Sequence, residues 1–321
     1  MNKRGRDVAI DILRGIAILV VVLGHALQSC LGGHQLYVYD IVRNFQMPLF
    51  MFISGMGLAF SYPEKASLEM MKAKVIRLLP ASLIWGYVLY FLRCLIAGKT
   101  VDIFGIVNVI YASDFWFLRY LLIYQLIIIG IGCIIKHSCS SNRRWLFYLM
   151  PIMAVVLIKV GTYIPFVKYS MSSPLYLWLV SGLLFGKIKG KISNSQTRMM
   201  GIAGFGLVSV MTYLHILNVF YTFGVIVTAW WIASEMKRTS KISNCLQYVG
   251  VRTLPIYAIH HTVLYGPLFS INYFYSTIQK YGFWLAMATF VLFLSWISIS
   301  LVAEWIISKN VTLNRILFAK A

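Results

Sequence analysis

The fold is decided first by an apolar stretch near the N-terminus, Asp11-Ile-Leu-Arg14-Gly-Ile-Ala-Ile-Leu-Val-Val-Val-Leu-Gly-His25-Ala26. Its length and composition predict a membrane-spanning helix. The step from Arg14 to His25 is three helical turns plus about 20°, so both side chains share one face, roughly 16 Å apart along the axis. Ionisable residues inside a membrane are costly and mark functional sites, so the pair predicts a polar site. Taken singly, Arg14 can also be a surface anchor and His25 a structural histidine.

Composition indicates that the whole chain is an integral membrane protein. Of its 321 residues, 60% are hydrophobic and only 12% are charged, whereas a soluble domain carries about 25% charged residues. The net charge of +20 would suit a nucleic-acid partner, but the basic residues lie between apolar stretches, so we expect a lipid bilayer and no nucleic acid. The five cysteines lack metal-site or disulfide-framework spacing, so no metal site is expected.

The apolar stretches predict an all-α integral membrane bundle of about ten transmembrane helices. The predicted spans are 8–30, 44–61, 78–98, 117–136, 145–163, 174–190, 199–216, 219–236, 253–271 and 283–307. Most basic residues fall in alternate loops, which places the N- and C-termini in the cytoplasm. The same rule separates the seventh and eighth spans, because one long helix would put the basic cluster at 237–252 outside. We expect a single transmembrane domain over residues 1–321, with no appended soluble domain.

Polar and small residues inside the other spans are further candidates. Gln46 is predicted at the outer end of the second span, at a depth comparable with that of His25. Gly55 in the same span predicts close helix packing, most simply against the first span. Tyr257 and His260 lie one turn apart in the ninth span and indicate either a polar cavity or an interhelical hydrogen bond.

Two groups of residues flank the spans. Lys74 and Arg77, at i and i+3 in the second cytoplasmic loop, can either bind phosphates or anchor the chain at the membrane surface. Asp114 and Trp116 precede the fourth span on the outer side. Trp116 can belong to the interfacial aromatic belt or offer a stacking face to a sugar.

These stretches together resemble the integral-membrane acyltransferase 3 family, from Asp7 to about His261. The matching motifs are Arg14 and His25 with ten residues between them, Phe45-Gln-Met-Pro-Leu-Phe with Ile-Ser-Gly55, Lys74-x-x-Arg77, Trp116-Phe-Leu118, and Leu254-x-Ile-Tyr257-x-Ile-His260. The closest likeness is to the fucose 4-O-acetylase-like branch, whose members acetylate surface polysaccharides or their lipid-linked precursors. Two positions depart from the family pattern. Gln46 stands where histidine is common, so no proton-transfer role is carried to it, and Lys74 stands where arginine is frequent, which weakens a bidentate grip on phosphate.

The resemblance implies a multi-pass acyltransferase of the bacterial inner membrane. It would move an acetyl or other short acyl group from cytoplasmic acyl-CoA to a hydroxyl of a cell-surface polysaccharide or lipid-linked glycan. Acetyl-CoA would be the donor, with its phosphates on Arg14, Lys74 and Arg77, and no metal would take part. His25 would act as general base or carry the acyl group transiently. The expected acceptor-binding residues are Asp114, Trp116, Gln46, Tyr257 and His260. A homo-oligomer is compatible with the sequence.

Two other classes of protein fit part of the pattern. A transporter of a small anion or a lipid-linked glycan would also use an intramembrane arginine and histidine. Many transporters contain internal repeats with broken helices, and none is visible in the sequence. A structural or sensor membrane protein would leave the shared face of Arg14 and His25 unexplained. The sequence therefore favours the enzyme.

Overall fold

The computed structural model describes residues 7–31, 36–112, 115–138, 143–163, 172–236, 240–265 and 282–318. Helices account for the regular structure of these ranges, which contain no strand, so the all-α prediction is confirmed for them. The α-helices are α1 Val8–Leu31, α2 Tyr37–Leu58, α3 Leu68–Ile96, α4 Ile103–Ala112, α5 Trp116–Ser138, α6 Leu146–Gly161, α7 Ser173–Ile188, α8 Asn194–Tyr213, α9 Val219–Glu235, α10 Lys241–Gly250, α11 Thr253–Ile259, α12 Gly282–Ser308 and α13 Val311–Phe318. A 3₁₀ turn, Lys189–Lys191, follows α7, and a π-helical segment, His260–Tyr265, continues α11.

The chain forms two compact units. The first comprises Met1–Ile53 and Lys189–Glu304, and the second comprises Ser54–Ile188 and Trp305–Ala321. The chain changes unit inside α2, between α7 and the 3₁₀ turn, and inside α12. The single membrane domain expected from the sequence stays a prediction.

Four of the described helices, α1, α3, α5 and α12, are long and apolar enough to cross a membrane. Two further apolar helices, α6 and α9, are shorter. Because several such helices occur in one chain, it is a multi-pass membrane protein. The predicted count of ten spans and the cytoplasmic location of both termini stay predictions.

Two helices begin earlier than the apolar stretches indicate. α2 starts at Tyr37, seven residues before the predicted span 44–61, so Pro48 lies in the helix interior. α3 starts at Leu68, where Ser67 caps it by accepting a hydrogen bond from the Met70 N–H. A side-chain cap satisfies backbone donors that would otherwise lack partners, and it does so whether or not the first turns are apolar. Residues 72–77, expected in the second cytoplasmic loop, are therefore helical and belong to α3.

The predicted division between the seventh and eighth spans is confirmed. α8 ends at Tyr213, and α9 begins at Val219 after Asn218, whose side chain accepts hydrogen bonds from the Phe220 and Tyr221 N–H groups. Between them His215 has a left-handed φ of 57°, a conformation incompatible with a continuous helix. The ninth predicted span contains α11 and the π-helical segment, and its part after residue 265 lies outside the described residues.

Glycines allow two close helix contacts, one in each unit. In the first unit, α1 packs on α10: a Cβ at Gly15 would lie 2.2 Å from the Leu246 carbonyl oxygen, and one at Gly250 would lie 1.9 Å from that of Asp11. In the second unit, a Cβ at Gly55 would lie 2.0 Å from the Leu179 carbonyl oxygen of α7. Gly55 thus packs closely, as predicted, but its backbone contact is with α7, so the expected partner was wrong.

Candidate active site

His25 lies in the last third of α1, a helix whose start is well defined. The Asp7 carboxylate accepts hydrogen bonds from the Ala9 and Ile10 N–H groups at 3.0 and 3.4 Å. Asp11 adds a second carboxylate in the first turn, where negative charge is stabilised by the helix dipole. Apart from Arg14, apolar residues continue the helix to His25, which is partly exposed while most of its neighbours are buried.

The second histidine of the site comes from the junction of α11 and the π-helical segment. The α-helical pattern ends at Ile259, and the next six residues, His260–Tyr265, are π-helical. π-helical turns are rare and occur frequently at functional sites. This turn holds His260 and His261, whose side chains are 0% and 5% exposed.

His25 and His260 are joined by a hydrogen bond between their rings. His25 Nδ1 lies 3.0 Å from His260 Nε2. On its other side, His260 Nδ1 lies 2.6 Å from the carbonyl oxygen of Ile256, one turn back in its own helix. The His25 and His260 rings are tilted by 30° with centroids 5.2 Å apart. A continuous row of polar atoms therefore links the backbone of α11 to the imidazole of α1.

Two more rings surround this pair. His261 meets His25 edge-on, with centroids 5.3 Å apart. Tyr257 lies 6.0 Å from the His260 ring and 5.7 Å from the His261 ring, centroid to centroid. The structure thus brings together three residues singled out from the sequence, His25, Tyr257 and His260. The interhelical hydrogen bond considered for His260 is present, and its partner is His25.

Gln46 packs against Gly24, the residue before His25 in α1. A Cβ at Gly24 would lie 2.6 Å from Gln46 Oε1, so the glycine makes room for the amide. Gln46 is only 8% exposed, and its Oε1 has no hydrogen-bond partner among the described residues. A buried acceptor without a partner costs about 1–3 kcal/mol. Such an atom, against the residue that precedes His25 in the chain, is suited to bind a polar group of a ligand.

Arg14 lies near the start of α1 and pairs with Asp11. Its Nη1 donates a hydrogen bond to Asp11 Oδ1 at 3.2 Å, and the two side chains are 35% and 5% exposed. A second ion pair, between Lys189 and Asp7, lies at the same end of α1. Arg14 is therefore oriented by a buried carboxylate while more than a third of its side chain stays accessible.

Lys74 and Arg77 lie in the first turns of α3, in the second unit. Their i, i+3 spacing puts them on neighbouring turns of one helix, as predicted. Lys74 is half-buried and Arg77 is exposed. That they bind one anionic ligand together with Arg14 stays a prediction.

Trp116 begins α5, also in the second unit, and is half-buried. Its ring packs edge-on against Tyr120, with centroids 5.1 Å apart. Farther along the same helix the Tyr124 hydroxyl is hydrogen-bonded to the Ser172 carbonyl at 2.7 Å, which is a structural role. Asp114, the other acceptor residue expected here, lies outside the described residues, and an acceptor contact at Trp116 stays a prediction.

Within the described ranges, no group of three His, Cys, Asp or Glu side chains is arranged to hold a metal ion. His261, Ile256 and Asp11 belong to the site but were not selected as site residues from the sequence. The pair His260-His261 in an apolar stretch was the available signal for His261. The contribution of Ile256 is a backbone carbonyl, which no side-chain pattern reveals.

The helices and this histidine cluster define the class of the protein. It is a multi-pass membrane protein with a hydrogen-bonded histidine pair between helices of its first unit. A family model described as an acyltransferase domain matches residues 7–309. The chain therefore belongs to the acyltransferase 3 family, as the motifs indicated. No curated protein and no solved structure matched the chain in the corresponding comparisons.

Proposed function

We propose that this membrane acyltransferase transfers an acetyl or other short acyl group from cytoplasmic acyl-CoA to a hydroxyl of a glycan. The acceptor would be a cell-surface polysaccharide or its lipid-linked precursor, in a bacterial inner membrane. The observation that carries the proposal is the partly exposed imidazole of His25, held by a hydrogen bond inside an otherwise buried cluster. An oriented imidazole is the commonest protein group for proton transfer in acyl chemistry.

In the proposed reaction His25 acts as a general base. It takes the proton of the acceptor hydroxyl as the oxygen attacks the thioester carbonyl carbon. The new C–O bond forms, the C–S bond breaks, and the proton held by His25 passes to the departing sulfur to give free CoA. A transient acyl-imidazole would lead to the same products. The thioester is already activated, so no further nucleophile is required.

The donor is proposed to bind through basic residues, with Arg14, Lys74 and Arg77 contacting its phosphates. Arg14 is suited to this role because its pairing with Asp11 fixes the guanidinium, which stays partly accessible. Acetyl-CoA is the proposed physiological donor.

The contribution of Arg14 can be separated from its structural pairing. Arg14→Gln is expected to raise the KM for acetyl-CoA about tenfold, because a lost hydrogen bond to a charged group costs about 1.5 kcal/mol. It is also expected to lower the unfolding temperature, because the buried Asp11 carboxylate then loses its ion pair with Arg14. The double variant Asp11→Asn/Arg14→Gln should recover stability while the KM stays high. Initial rates and thermal unfolding in detergent measure both effects, and an unchanged KM in both variants would argue against donor binding by Arg14.

Gln46 is proposed to bind the acceptor. Gln46→Leu removes the buried amide while keeping a similar side-chain volume, so stability should be unchanged or slightly increased. The KM for the glycan acceptor is expected to rise about tenfold, since one good hydrogen bond contributes roughly 1.4 kcal/mol, while the KM for acetyl-CoA stays constant. Steady-state kinetics with each substrate varied in turn measure the difference. Equal changes in both KM values would exclude a specific acceptor contact.

The overall activity is tested with membranes that contain the protein. They are supplied with radiolabelled acetyl-CoA and a glycan acceptor, and label bound to the glycan is counted. Label transfer that disappears with Arg14→Ala supports the enzyme and the site. Uptake of a solute without transfer would instead support a transporter.

A further inference from the structure

The hydrogen bonds around His260 determine which nitrogen of His25 carries the proton. A carbonyl oxygen can only accept, so His260 Nδ1, 2.6 Å from the Ile256 oxygen, must be the donor. In a neutral imidazole the other nitrogen is then an acceptor. His260 Nε2 therefore accepts from His25 Nδ1 at 3.0 Å.

From this order we infer that His260 is a positioning residue that fixes the tautomer of His25, with the proton on Nδ1 and the lone pair on Nε2. The inference deepens the proposed function, on which it rests, and replaces the acceptor-binding role expected for His260. His260 is 0% exposed, which fits a residue that acts through His25 and not through contact with substrate.

One backbone carbonyl, that of Ile256, anchors this arrangement. The Ile256 oxygen also accepts the backbone N–H of His260, and a carbonyl has two lone pairs for two donors. The ring of His260 is thus attached to its own helix at both backbone and side chain. A fixed ring of this kind holds its Nε2 at a defined point beside α1.

This arrangement determines where the acceptor proton is held during the reaction. When His25 Nε2 takes the acceptor proton, His25 becomes an imidazolium whose Nδ1–H still donates to His260. The neutral His260 ring stabilises that charge by accepting the hydrogen bond and is itself polarised by the Ile256 carbonyl. His260 neither gains nor loses a proton, and the proton on His25 Nε2 is the one released to the CoA sulfur.

Two substitutions at the same position separate orientation from packing. Glutamine can place its side-chain oxygen near the position of His260 Nε2 and accept from His25, whereas leucine fills similar space without an acceptor. His260→Leu should lower kcat by about 10²-fold or more, since losing the partner that orients a catalytic histidine costs up to about 10⁴-fold in a known triad. The KM for acetyl-CoA should stay constant. His260→Gln should recover at least tenfold of the loss.

Selective ¹⁵N labelling of the six histidines tests the tautomer directly in the wild-type protein, with the His25→Asn spectrum used for assignment. The proton on Nδ1 of His25 is the expected result. A proton on Nε2, or equal kcat values for His260→Leu and His260→Gln, would overturn the inference. Loss of transfer in His25→Asn with full kcat in His260→Leu would reject the positioning role alone, and transfer that survives His25→Asn would reject the proposed role of His25 itself.

Discussion

Replacing His25 with asparagine is expected to lower the rate of acetyl transfer by about 10²- to 10⁴-fold, the usual contribution of a general base. Asparagine keeps a polar side chain of smaller size but cannot take a proton at the reacting atom. The His25 ring is hydrogen-bonded to His260 and packs against His261, so its loss should change the chemical step and the KM values should change much less than kcat. Single-turnover measurements on the purified protein with labelled acetyl-CoA report the chemical step.

The matched control is His137→Asn, the same change at an exposed histidine in the last turn of α5. Its kcat should equal that of the wild type. A His25→Asn protein that remains folded and transfers acetyl within about threefold of the wild-type rate would show that another group performs the proton transfer.

Gly15→Ala is expected to destabilise the first unit by about 3 kcal/mol, at the upper end of the usual cost of overpacking. The added Cβ would meet the Leu246 carbonyl oxygen at 2.2 Å and its carbonyl carbon at 2.9 Å. These are backbone atoms of α10, which cannot rotate away as a side chain can. Helix α10 leads directly into α11, so displacing it should also disturb the His25–His260 contact and reduce activity.

Gly206→Ala in α8 provides the comparison, because a Cβ there would have no heavy atom within 4 Å. Alanine favours a helix by about 1 kcal/mol over glycine, so this variant should be as stable as the wild type or slightly more. The stabilities of the Gly15→Ala and Gly206→Ala proteins are compared in detergent, where unfolding is induced by heat or by added denaturing surfactant. Equal stability of Gly15→Ala and Gly206→Ala would mean that α1 and α10 do not pack at this distance.

The sequence predicted the class of fold because apolar composition over many stretches leaves few alternatives to helices in a membrane. It placed helix starts less well. α3 begins ten residues before the predicted span because Ser67 caps its first turn, and hydropathy does not register a cap. The short α4 and the amphipathic α10 were not predicted as helices, because neither is long enough to cross a membrane.

The sequence pointed to several residues of the site but did not show which of them contact one another. His25, Tyr257 and His260 each stood out because polar rings are rare in apolar helices. Their partners depend on which helices are neighbours, and that was decided by Gly15 and Gly250, whose role appears only when the opposing backbone is known. The π-helical turn, which brings both His260 and His261 to the His25 ring, has no sequence pattern comparable with a helical period.

The most direct test of acyl transfer uses the purified protein in liposomes, with labelled acetyl-CoA and a glycan acceptor. The amounts of acetylated glycan and free CoA are measured together, along with label taken into the lumen. We expect one CoA to be released for each acetyl group bound to the acceptor, and no label to enter the lumen without release of CoA. Accumulation of acceptor or label across the membrane without CoA release would contradict it.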